Sequence, residues 1–491
     1  MTALTHDQLR SAATHAPALF LEAAPGSGKT TVAAHRFALQ RFTRTARPDP
    51  RGVIAVSFTR AATQELLARV ERQWGRNAVR LPHRIITLDT LICDLVHVLL
   101  ANELLAWPGG HKVLDVRDTW SALVSTSYTT RDTTVYVADG TVIVGSVRTA
   151  ERVTSPSAAG VRAMMQQGVC THAEVRVALE HALERPNQRA ILTAHMRRTI
   201  RALIVDEVFD ANELDLDVVQ LACDANIDIT LIGDPWQALY RFRGARPDLV
   251  PELVEKNSMA TLSLTESFRW RSVEQADLAT RLRAGQPITI EPAGPGHADP
   301  DVVLATRWAD LWEVDARVLP LAFGAAKGNV EEAGATLLLD YVTRTLLGTG
   351  AVYASDALST LRIADPLAVN RLDAGWPIVI EALLQPGIKG PKGGYIALVE
   401  LIATESDAAF RPVRGNYTKR LAWLRERLEL DGDLILGLSV HQAKGREWDT
   451  VGLALKPSHV EHLTNGLSHT ETTHRELYVA CTRARVRTVA V

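Results

Sequence analysis

A glycine-rich turn near the amino terminus constrains the fold more than any other segment of the chain. The turn runs Ala23-Ala-Pro-Gly-Ser-Gly-Lys-Thr30, between an apolar run from Pro17 to Glu22 and a segment with helical periodicity. This order predicts a strand, a loop and a helix in succession. Further apolar runs at Gly52 to Phe58, Ala202 to Val205 and Ile227 to Ile232 have the length of buried strands. Buried strands separated by helical segments predict a parallel sheet flanked by helices on both faces.

The length of 491 residues predicts more than one domain. We expect a first α/β domain at residues 1–262, interrupted by an insertion at 100–199. A second α/β domain is expected at 263–491, with a small insertion around 325–430.

Turn-forming residues predict two local features inside these insertions. Asp139-Gly140 separates two β-rich runs and predicts a hairpin turn. The stretch from Gln385 to Gly394 is rich in Pro and Gly and predicts a surface loop that carries Lys389 and Lys392.

Composition excludes several classes of protein. The formal net charge of -2 supplies no global basic field, so any path for nucleic acid must be built locally. Cys93, Cys170, Cys223 and Cys481 show no CxxC spacing, which argues against a zinc ribbon or an iron-sulfur cluster. No run approaches the roughly 20 apolar residues of a membrane span, and no basic region precedes the first apolar stretch. We therefore expect a cytoplasmic protein with no membrane partner.

The residues of the glycine-rich turn fit a loop that binds a nucleoside triphosphate. Backbone N–H groups of such a loop and the dipole of the following helix attract phosphate. Lys29 is expected to reach the β- and γ-phosphates, and Thr30 is expected to ligate Mg²⁺, although Ala23 replaces the first Gly of the strict pattern. The candidate nucleotide-binding residues of this segment are Ala24, Pro25, Gly26, Ser27, Gly28, Lys29, Thr30 and Thr31.

Two adjacent carboxylates end the apolar run Leu203-Ile-Val-Asp-Glu207. An Asp-Glu pair in this position is, by itself, more often a solvated strand end. Together with the phosphate loop it predicts a catalytic pair, in which Asp206 holds Mg²⁺ through water and Glu207 polarises the attacking water.

Further segments resemble the motifs of the UvrD/Rep-like superfamily 1 DNA helicases, in the order in which that family has them. The matching segments are Leu4 to Gln8 (Q motif), Ser57 to Leu66 (motif Ia), Ile232 to Ala245 (motif III), Leu264 to Arg269 (motif IV), Ser439 to Asp449 (motif V) and His474 to Arg485 (motif VI). The resemblance implies two RecA-like P-loop domains, named 1A and 2A, with ATP between them, and an accessory 1B-like subdomain in the first insertion. It also implies an ATP hydrolase that moves 3′ to 5′ on single-stranded DNA.

The same resemblance implies roles for individual residues at the nucleotide. These are Gln8 at the adenine edge, which favours ATP over GTP, Phe268 on the adenine face, Glu447 at the ribose, Gln237 as γ-phosphate sensor, and Arg269 and Arg483 as arginine fingers. Lys29, Glu207, Gln237, Arg269 and Arg483 are therefore the expected catalytic residues.

The residues that the resemblance directs toward single-stranded DNA are Phe58, Thr87, Tyr240, Phe242 and His441. Stacking of a base on an aromatic ring contributes about 1–3 kcal/mol without reading sequence. Taken singly, each of these aromatic residues also fits a buried core. The spacing of Tyr240 and Phe242 equally describes one buried face of a strand.

The chain departs from the family pattern at several points. Val208 and Phe209 stand where a Gln that couples ATP to DNA is usual, and Thr87-Leu-Asp-Thr90 lacks the usual aromatic residue of motif Ib. The stretch between motifs IV and V is short, so the accessory domain called 2B is expected to be small or absent. Little chain follows Arg485, and a C-terminal nuclease is not expected.

Several functions remain open at this stage. The first is a helicase or translocase whose partners are single-stranded or tailed duplex DNA and, as a further candidate, a nuclease or repair protein. A second is a DNA-sensing subunit whose ATP cycle regulates a partner nuclease without processive unwinding. A third alternative is a P-loop kinase or GTPase. The substrate could also be RNA. The pathway stays open between repair, replication restart, recombination and phage defence.

Overall fold

The computed structural model describes residues 4–43, 49–120, 123–294, 299–324, 329–363, 365–413 and 415–491. Contacts divide the chain into two compact units, unit 1 at Met1–Arg269 and unit 2 at Trp270–Val491. Residue 325, where the second insertion was expected to begin, lies outside the described residues.

Unit 1 is built on a parallel sheet. The described strands of unit 1 are β1 (Ala18–Ala23), β2 (Gly52–Ser57), β3 (Arg84–Thr87), β4 (Asp115–Arg117), β5 (Thr126–Ala138), β6 (Thr141–Pro156), β7 (Val169–Thr171), β8 (Ile200–Val205), β9 (Asp228–Gly233) and β10 (Ala260–Leu264). Six of these form one sheet in the order β10-β1-β9-β8-β2-β3, and each neighbouring pair is parallel. The prediction of a parallel α/β sheet is confirmed.

Helices cover both faces of this sheet. The described helices of unit 1 are α1 (His6–Ala13), α2 (Lys29–Phe42), α3 (Arg60–Trp74), α4 (Leu88–Ala101), α5 (Ala158–Met165), α6 (His172–Leu183), α7 (Pro186–Thr199), α8 (Glu213–Asp224) and α9 (Leu249–Lys256). Alternate residues of one strand serve opposite faces, because side chains alternate along a strand. In β8, Ala202 and Ile204 pack with α2 and α3, whereas Leu203 and Val205 pack with α4 and α8.

The region between α4 and β8 holds a long hairpin. Strands β5 and β6 are antiparallel, and Asp139 and Gly140 connect them with φ angles of 49° and 73°. Positive φ at both turn residues is what a type I′ hairpin turn requires. The predicted hairpin is therefore confirmed, and it is longer than the β-rich runs suggested.

Unit 2 contains a second parallel sheet. Its described strands are β11 (Val302–Ala305), β12 (Val318–Pro320), β13 (Ile435–Ser439), β14 (Trp448–Leu453) and β15 (Ala484–Ala490), in the order β12-β13-β11-β14-β15. Its described helices are α10 (Val273–Arg283), α11 (Trp308–Val314), α12 (Val330–Leu347), α13 (Ala354–Thr360), α14 (Pro366–Leu383), α15 (Lys389–Ile402), α16 (Gly415–Leu428), α17 (Val440–Ala443), α18 (Pro457–Asn465) and α19 (Thr472–Cys481).

Helices α12 to α16 lie between β12 and β13 in the chain and share a hydrophobic core. Leu338, Trp376, Leu398 and Leu424 are among its buried members. Within the described residues, no helix has both the length and the apolar character needed to cross a membrane.

The loop predicted from Gln385 to Gly394 is wrong over its second half, because α15 begins at Lys389. Here Gly allows close packing instead of a turn. A Cβ atom on Gly390 would lie 2.4 Å from the carbonyl oxygen of Leu383, at the end of α14. Pro391 is tolerated because the first turn of a helix leaves backbone N–H groups without intrahelical partners.

Candidate functional site

The carboxyl ends of β1, β9 and β8 bring the predicted nucleotide residues to one edge of the sheet. These strands are neighbours and parallel, so they end at the same edge. The phosphate loop follows β1 and leads into α2 at Lys29, Gln237 follows β9, and Asp206 and Glu207 follow β8. Residues far apart in the sequence therefore meet.

The phosphate loop requires its glycines. Gly26 and Gly28 have φ angles of 73° and 86°, in the left-handed region that favours glycine. A Cβ atom on Gly26 would lie 2.6 Å from Cβ of Arg269. Gly28 is the N-cap of α2 and supplies no side-chain hydrogen bond, which leaves the first backbone N–H groups of the helix to a bound anion.

Lys29 places a buried positive charge at this edge. Its side chain is 10% exposed, and Nζ has no hydrogen-bond partner among the described residues. Glu207 Oε1 lies 3.7 Å from Nζ. A buried ammonium group without hydrogen bonds is costly, and phosphate oxygens would supply the missing acceptors.

Asp206 and Glu207 form the acidic side of the site. Burial raises the pKa of the Asp206 carboxyl group, the neighbouring charge of Glu207 raises it further, and Lys29 opposes both. Glu207 has φ 58° and ψ 41°, a left-handed conformation that costs a residue with Cβ about 1–2 kcal/mol. Strain of this kind persists where the surrounding structure enforces it, and functional sites often do so.

The residues at this edge fit a magnesium ion. Asp206 supplies a buried carboxylate, and Thr30 at the start of α2 supplies a hydroxyl group. Mg²⁺ in phosphate sites is usually held by one or two carboxylates, water and substrate oxygens. A cation would also stabilise the ionised form of a carboxylate that burial otherwise disfavours.

Both predicted glutamines are already hydrogen-bonded within the protein. Gln237 is buried, and its Nε2 donates to Asp234 Oδ2 at 2.7 Å. Gln8 Nε2 donates to the Ser27 carbonyl at 2.9 Å, while Gln8 Oε1 accepts from the Thr5 N–H at 3.2 Å. Gln8 thus supports the phosphate loop, and its contact with adenine stays a prediction.

The segment after β10 lies against the phosphate loop. Ser267 Oγ donates to the Pro25 carbonyl at 2.7 Å, and the Phe268 N–H donates to the Gly26 carbonyl at 3.0 Å. The Phe268 ring is 53% exposed, whereas Arg269 is buried. Arg269 was expected in the second domain, whereas in the structure it is the last residue of unit 1.

Two residues that contact the predicted nucleotide-binding segment were not foreseen. One is Ser267, which directly precedes the predicted aromatic residue and was therefore within reach of sequence reasoning. The other is Arg69 of α3, which donates a hydrogen bond to Thr31 Oγ1. Nothing in the sequence near Arg69 indicates this contact, because it depends on the packing of α3 against α2.

Phe58 and Thr87 lie further along the same edge of the sheet, at the ends of β2 and β3. Both residues line an open pocket, together with Arg60, Asp118 and His172. Phe58 is half-buried and packs against the core of the unit. Thr87 is the N-cap of α4, and its Oγ1 accepts from the Thr90 N–H at 3.3 Å.

Tyr240 and Phe242 lie in a 3₁₀ turn, Tyr240–Arg243, and the alternative of a buried strand face is wrong. Their ring centroids are 6.0 Å apart, and the Arg243 guanidinium lies 5.3 Å from the Tyr240 ring and 5.5 Å from the Phe242 ring. Phe242 is 67% exposed, and Tyr240 is half-buried. Core packing therefore does not account for Phe242.

Val208 and Phe209, where the family usually has a Gln, belong to the hydrophobic core. Both are buried, and the Phe209 ring packs edge-on against Phe20 with 6.1 Å between centroids. A polar side chain here would require a hydrogen-bond partner inside this core.

The remaining predicted residues lie in unit 2. His441 belongs to motif V on α17, and its Nε2 lies 3.7 Å from Glu476 Oε1. Arg483 is buried, with its Nε donating to the Val479 carbonyl at 3.1 Å. The Trp448 N–H donates to the Arg483 carbonyl at 3.2 Å, so the chain segments that carry Glu447 and Arg483 are neighbours. Glu447 itself is exposed.

The parallel sheets and the glycine-rich loop define a P-loop protein of the α/β class. A family model described as an AAA domain matches residues 7–243. The chain is 27% identical over 329 residues to ATP-dependent DNA helicase UvrD2 of Mycobacterium tuberculosis, covering 58% of this chain and 46% of UvrD2. It is 25% identical over 269 residues to ATP-dependent DNA helicase Rep of Salmonella typhimurium, covering 52% of this chain and 39% of Rep.

The chain is thus similar to the UvrD/Rep-like superfamily 1 helicases, and the resemblance predicted from the motifs is confirmed. The matched region spans less than half the length of these curated relatives. Among solved structures, the Pif1 helicase from Candida albicans aligns over 100% of this chain and 95% of that chain, with 11% identity and a TM-score of 0.35. This similarity is low, and the fold rests on the strand order given above.

Proposed function

We propose that this chain is an ATP-driven motor that moves on single-stranded DNA and unwinds tailed duplexes, travelling 3′ to 5′. The observation that carries the proposal is the buried Lys29 ammonium group, which has no hydrogen-bond partner among the described residues and faces Glu207 at 3.7 Å. The similarity to helicases named UvrD2 and Rep supports ATP and DNA as its ligands.

Each residue at the phosphate edge has a proposed task. Lys29 binds the β- and γ-phosphates, and Gln237 contacts the γ-phosphate from the end of β9. Glu207 accepts a proton from the attacking water or orients that water, a task suited to a carboxylate held in a fixed backbone conformation. Thr30 and, through water, Asp206 would hold Mg²⁺, which would supply positive charge to the phosphate oxygens.

The nucleoside end of ATP is assigned to Phe268 and Gln8. The exposed ring of Phe268 lies beside the phosphate loop, to which its own N–H is hydrogen-bonded, and it offers a face to adenine. For Glu447 and Arg483 the support is the motif resemblance, and the ATPase rate of Arg483→Ala tests it.

The DNA strand is assigned to Phe58, Tyr240 and Phe242, with Thr87 and His441 as further contacts. Stacking on rings holds bases of any sequence, which suits a motor that must pass every base. The exposed Phe242 ring and the open pocket beside Phe58 support this assignment.

A second candidate function has its own support. Val208 and Phe209 are buried in the core, at the position where the family usually has a Gln that couples ATP to DNA. A chain with weak coupling would serve as an ATP-dependent DNA sensor that regulates a partner nuclease in repair or phage defence.

One set of assays separates these functions. We expect ATP hydrolysis that single-stranded DNA stimulates, and displacement of a strand from duplexes with a 3′ tail but not a 5′ tail. Lys29→Ala is the control for contaminating activity. Stimulated hydrolysis without displacement on either tail would favour the sensor, whereas hydrolysis that ignores DNA would overturn both proposals.

A further inference from the structure

The pocket beside Phe58 and Thr87 contains an ion pair that the sequence did not indicate. Arg60 begins α3, two residues after Phe58, and Asp118 follows β4. Arg60 NH1 donates to Asp118 Oδ2 at 3.0 Å, and NH2 donates to Oδ1 at 2.5 Å. The guanidinium fork therefore engages both oxygens of the carboxylate.

Two sets of parallel strand ends meet at this pocket. Ser57 of β2 is in register with Thr87 of β3, so Phe58 and Thr87 lie close together. Arg117 of β4 is in register with Thr171 of β7, so the residues that follow them, Asp118 and His172, are also neighbours. His172 Nε2 lies 4.0 Å from Asp118 Oδ1. The insertion thus delivers a carboxylate to the surface on which we place DNA.

We propose that Asp118 competes with a nucleic-acid phosphate for Arg60, and that a nucleic-acid strand must displace Asp118 in order to bind. This inference rests on the proposed function. A guanidinium group binds a carboxylate and a phosphate with the same two-pronged geometry, so one ligand replaces the other without rearrangement of the arginine. Asp118 thereby lowers the affinity of the pocket and makes strand binding an exchange of partners.

The exposure of this ion pair suits an exchange. The Arg60 and Asp118 side chains are 70% and 61% exposed, and exposed ion pairs contribute little to folding stability. Separating the pair therefore leaves the fold intact. Asp89, the other carboxylate that lines the pocket, differs, because it pairs with Arg176 at 2.8 Å, and Arg176 also holds the buried Asp215 at 2.9 Å.

The test compares Asp118→Asn with the wild-type chain in binding a fluorescent oligothymidylate at low salt. We expect affinity to rise about two- to fivefold, the fold-change that corresponds to an exposed ion pair. For Asp118→Asn, the slope of the logarithm of affinity against the logarithm of salt concentration should also be steeper than for the wild-type chain. The slope should steepen by at most about 0.7, the value for one phosphate contact on a single strand. The reason is that a displaced Asp118 attracts a cation in the wild-type chain, whereas the neutral amide of the Asp118→Asn variant does not.

Two further variants decide whether the gain passes through Arg60. In an Arg60→Ala background the gain from Asp118→Asn should vanish, and Asp89→Asn should raise affinity less than Asp118→Asn does. A gain that persists without Arg60, or an equal gain from Asp89→Asn, would mean that only general repulsion had been removed and would overturn the proposal. No change in affinity would overturn it as well.

The proposed function can fail separately from this inference. If the wild-type chain binds the oligothymidylate and its ATPase responds to it, but Asp118→Asn behaves identically, then only the exchange is wrong. If the wild-type chain does not bind the oligothymidylate, the proposed function fails and this inference fails with it. Thermal melting of each variant confirms that the fold is retained.

Discussion

Two neighbouring regions of one sheet edge in unit 1 carry the candidate functions, and they differ in how they hold charge. At the ends of β1, β9 and β8, Lys29 and Asp206 are largely buried, and Glu207 has a left-handed backbone. At the ends of β2 and β3, charge lies in the exposed pair of Arg60 and Asp118. The Tyr240–Arg243 turn likewise exposes the Phe242 ring.

This difference teaches how the two regions would act on their ligands. Buried charges lack the screening of water, so they act strongly on a phosphate and need no rearrangement at the moment of reaction. The stable surrounding sheet holds these buried charges in place. Exposed rings and ion pairs contribute little to that stability and are free to exchange partners. Substitutions in the first region should therefore abolish chemistry, and those in the second should tune binding.

The largest expected effect is that of Lys29→Ala. ATP hydrolysis should fall to background, a loss of about a thousandfold or more, because the charge that stabilises the transferring phosphoryl group is gone. The melting temperature should not fall, since Nζ has no hydrogen bond to lose among the described residues. Lys112→Ala, at an exposed lysine of the same unit, is the matched control. Retained turnover in Lys29→Ala would remove the distinction between the two regions.

Glu207→Gln should leave ATP binding intact and reduce turnover at least about a hundredfold, since the magnesium ligand Asp206 remains while polarisation of water is lost. Binding of a fluorescent ATP analogue and steady-state hydrolysis measure the two quantities separately. Glu213→Gln removes an exposed carboxylate from the same unit as a control. Collapse of ATP affinity would mean that the roles of Asp206 and Glu207 are assigned wrongly.

Phe242→Ala should lower the affinity for single-stranded DNA by about ten- to a hundredfold, the equivalent of about 1–3 kcal/mol for one stacked base. Basal ATP hydrolysis and the melting temperature should stay unchanged, because the ring is exposed. Phe42 provides a matched control, since it is 50% exposed, lies beside Arg41 and belongs to no motif. Equal losses of affinity in Phe42→Ala and Phe242→Ala would contradict stacking at Phe242.

The smallest effect concerns Thr87, which belongs to both kinds of region. Thr87→Ala should lower the free energy of unfolding by about 1 kcal/mol, the usual cost of losing an N-cap hydrogen bond. Thr87→Ser retains the hydroxyl group and should behave as the wild-type chain. Chemical denaturation measures the difference. If Thr87→Ala keeps full stability but loses DNA affinity, the hydroxyl group serves the strand and not the helix.

Sequence patterns by themselves predicted the elements that depend on local geometry. The phosphate loop, the central strands and the Asp139-Gly140 turn follow from glycine conformations and from runs of apolar residues, which act over a few residues. The segment from Gln385 to Gly394 shows the limit of this reasoning. Gly is typical of turns but also allows close packing, and only the neighbouring end of α14 distinguishes the two uses.

Strand order and side-chain partners were decided by the tertiary structure. Strands β1, β8 and β9 are far apart in the sequence but are consecutive neighbours in the sheet. As a result Lys29 faces Glu207. The segment between α4 and β8 likewise brings Asp118 to Arg60 across 58 positions of the chain. Such contacts arise from packing between distant segments, and no local pattern in the sequence encodes them. The motifs thus predicted the phosphate loop, and the fold determined which charges surround it and which lie beside the surface that we propose for DNA.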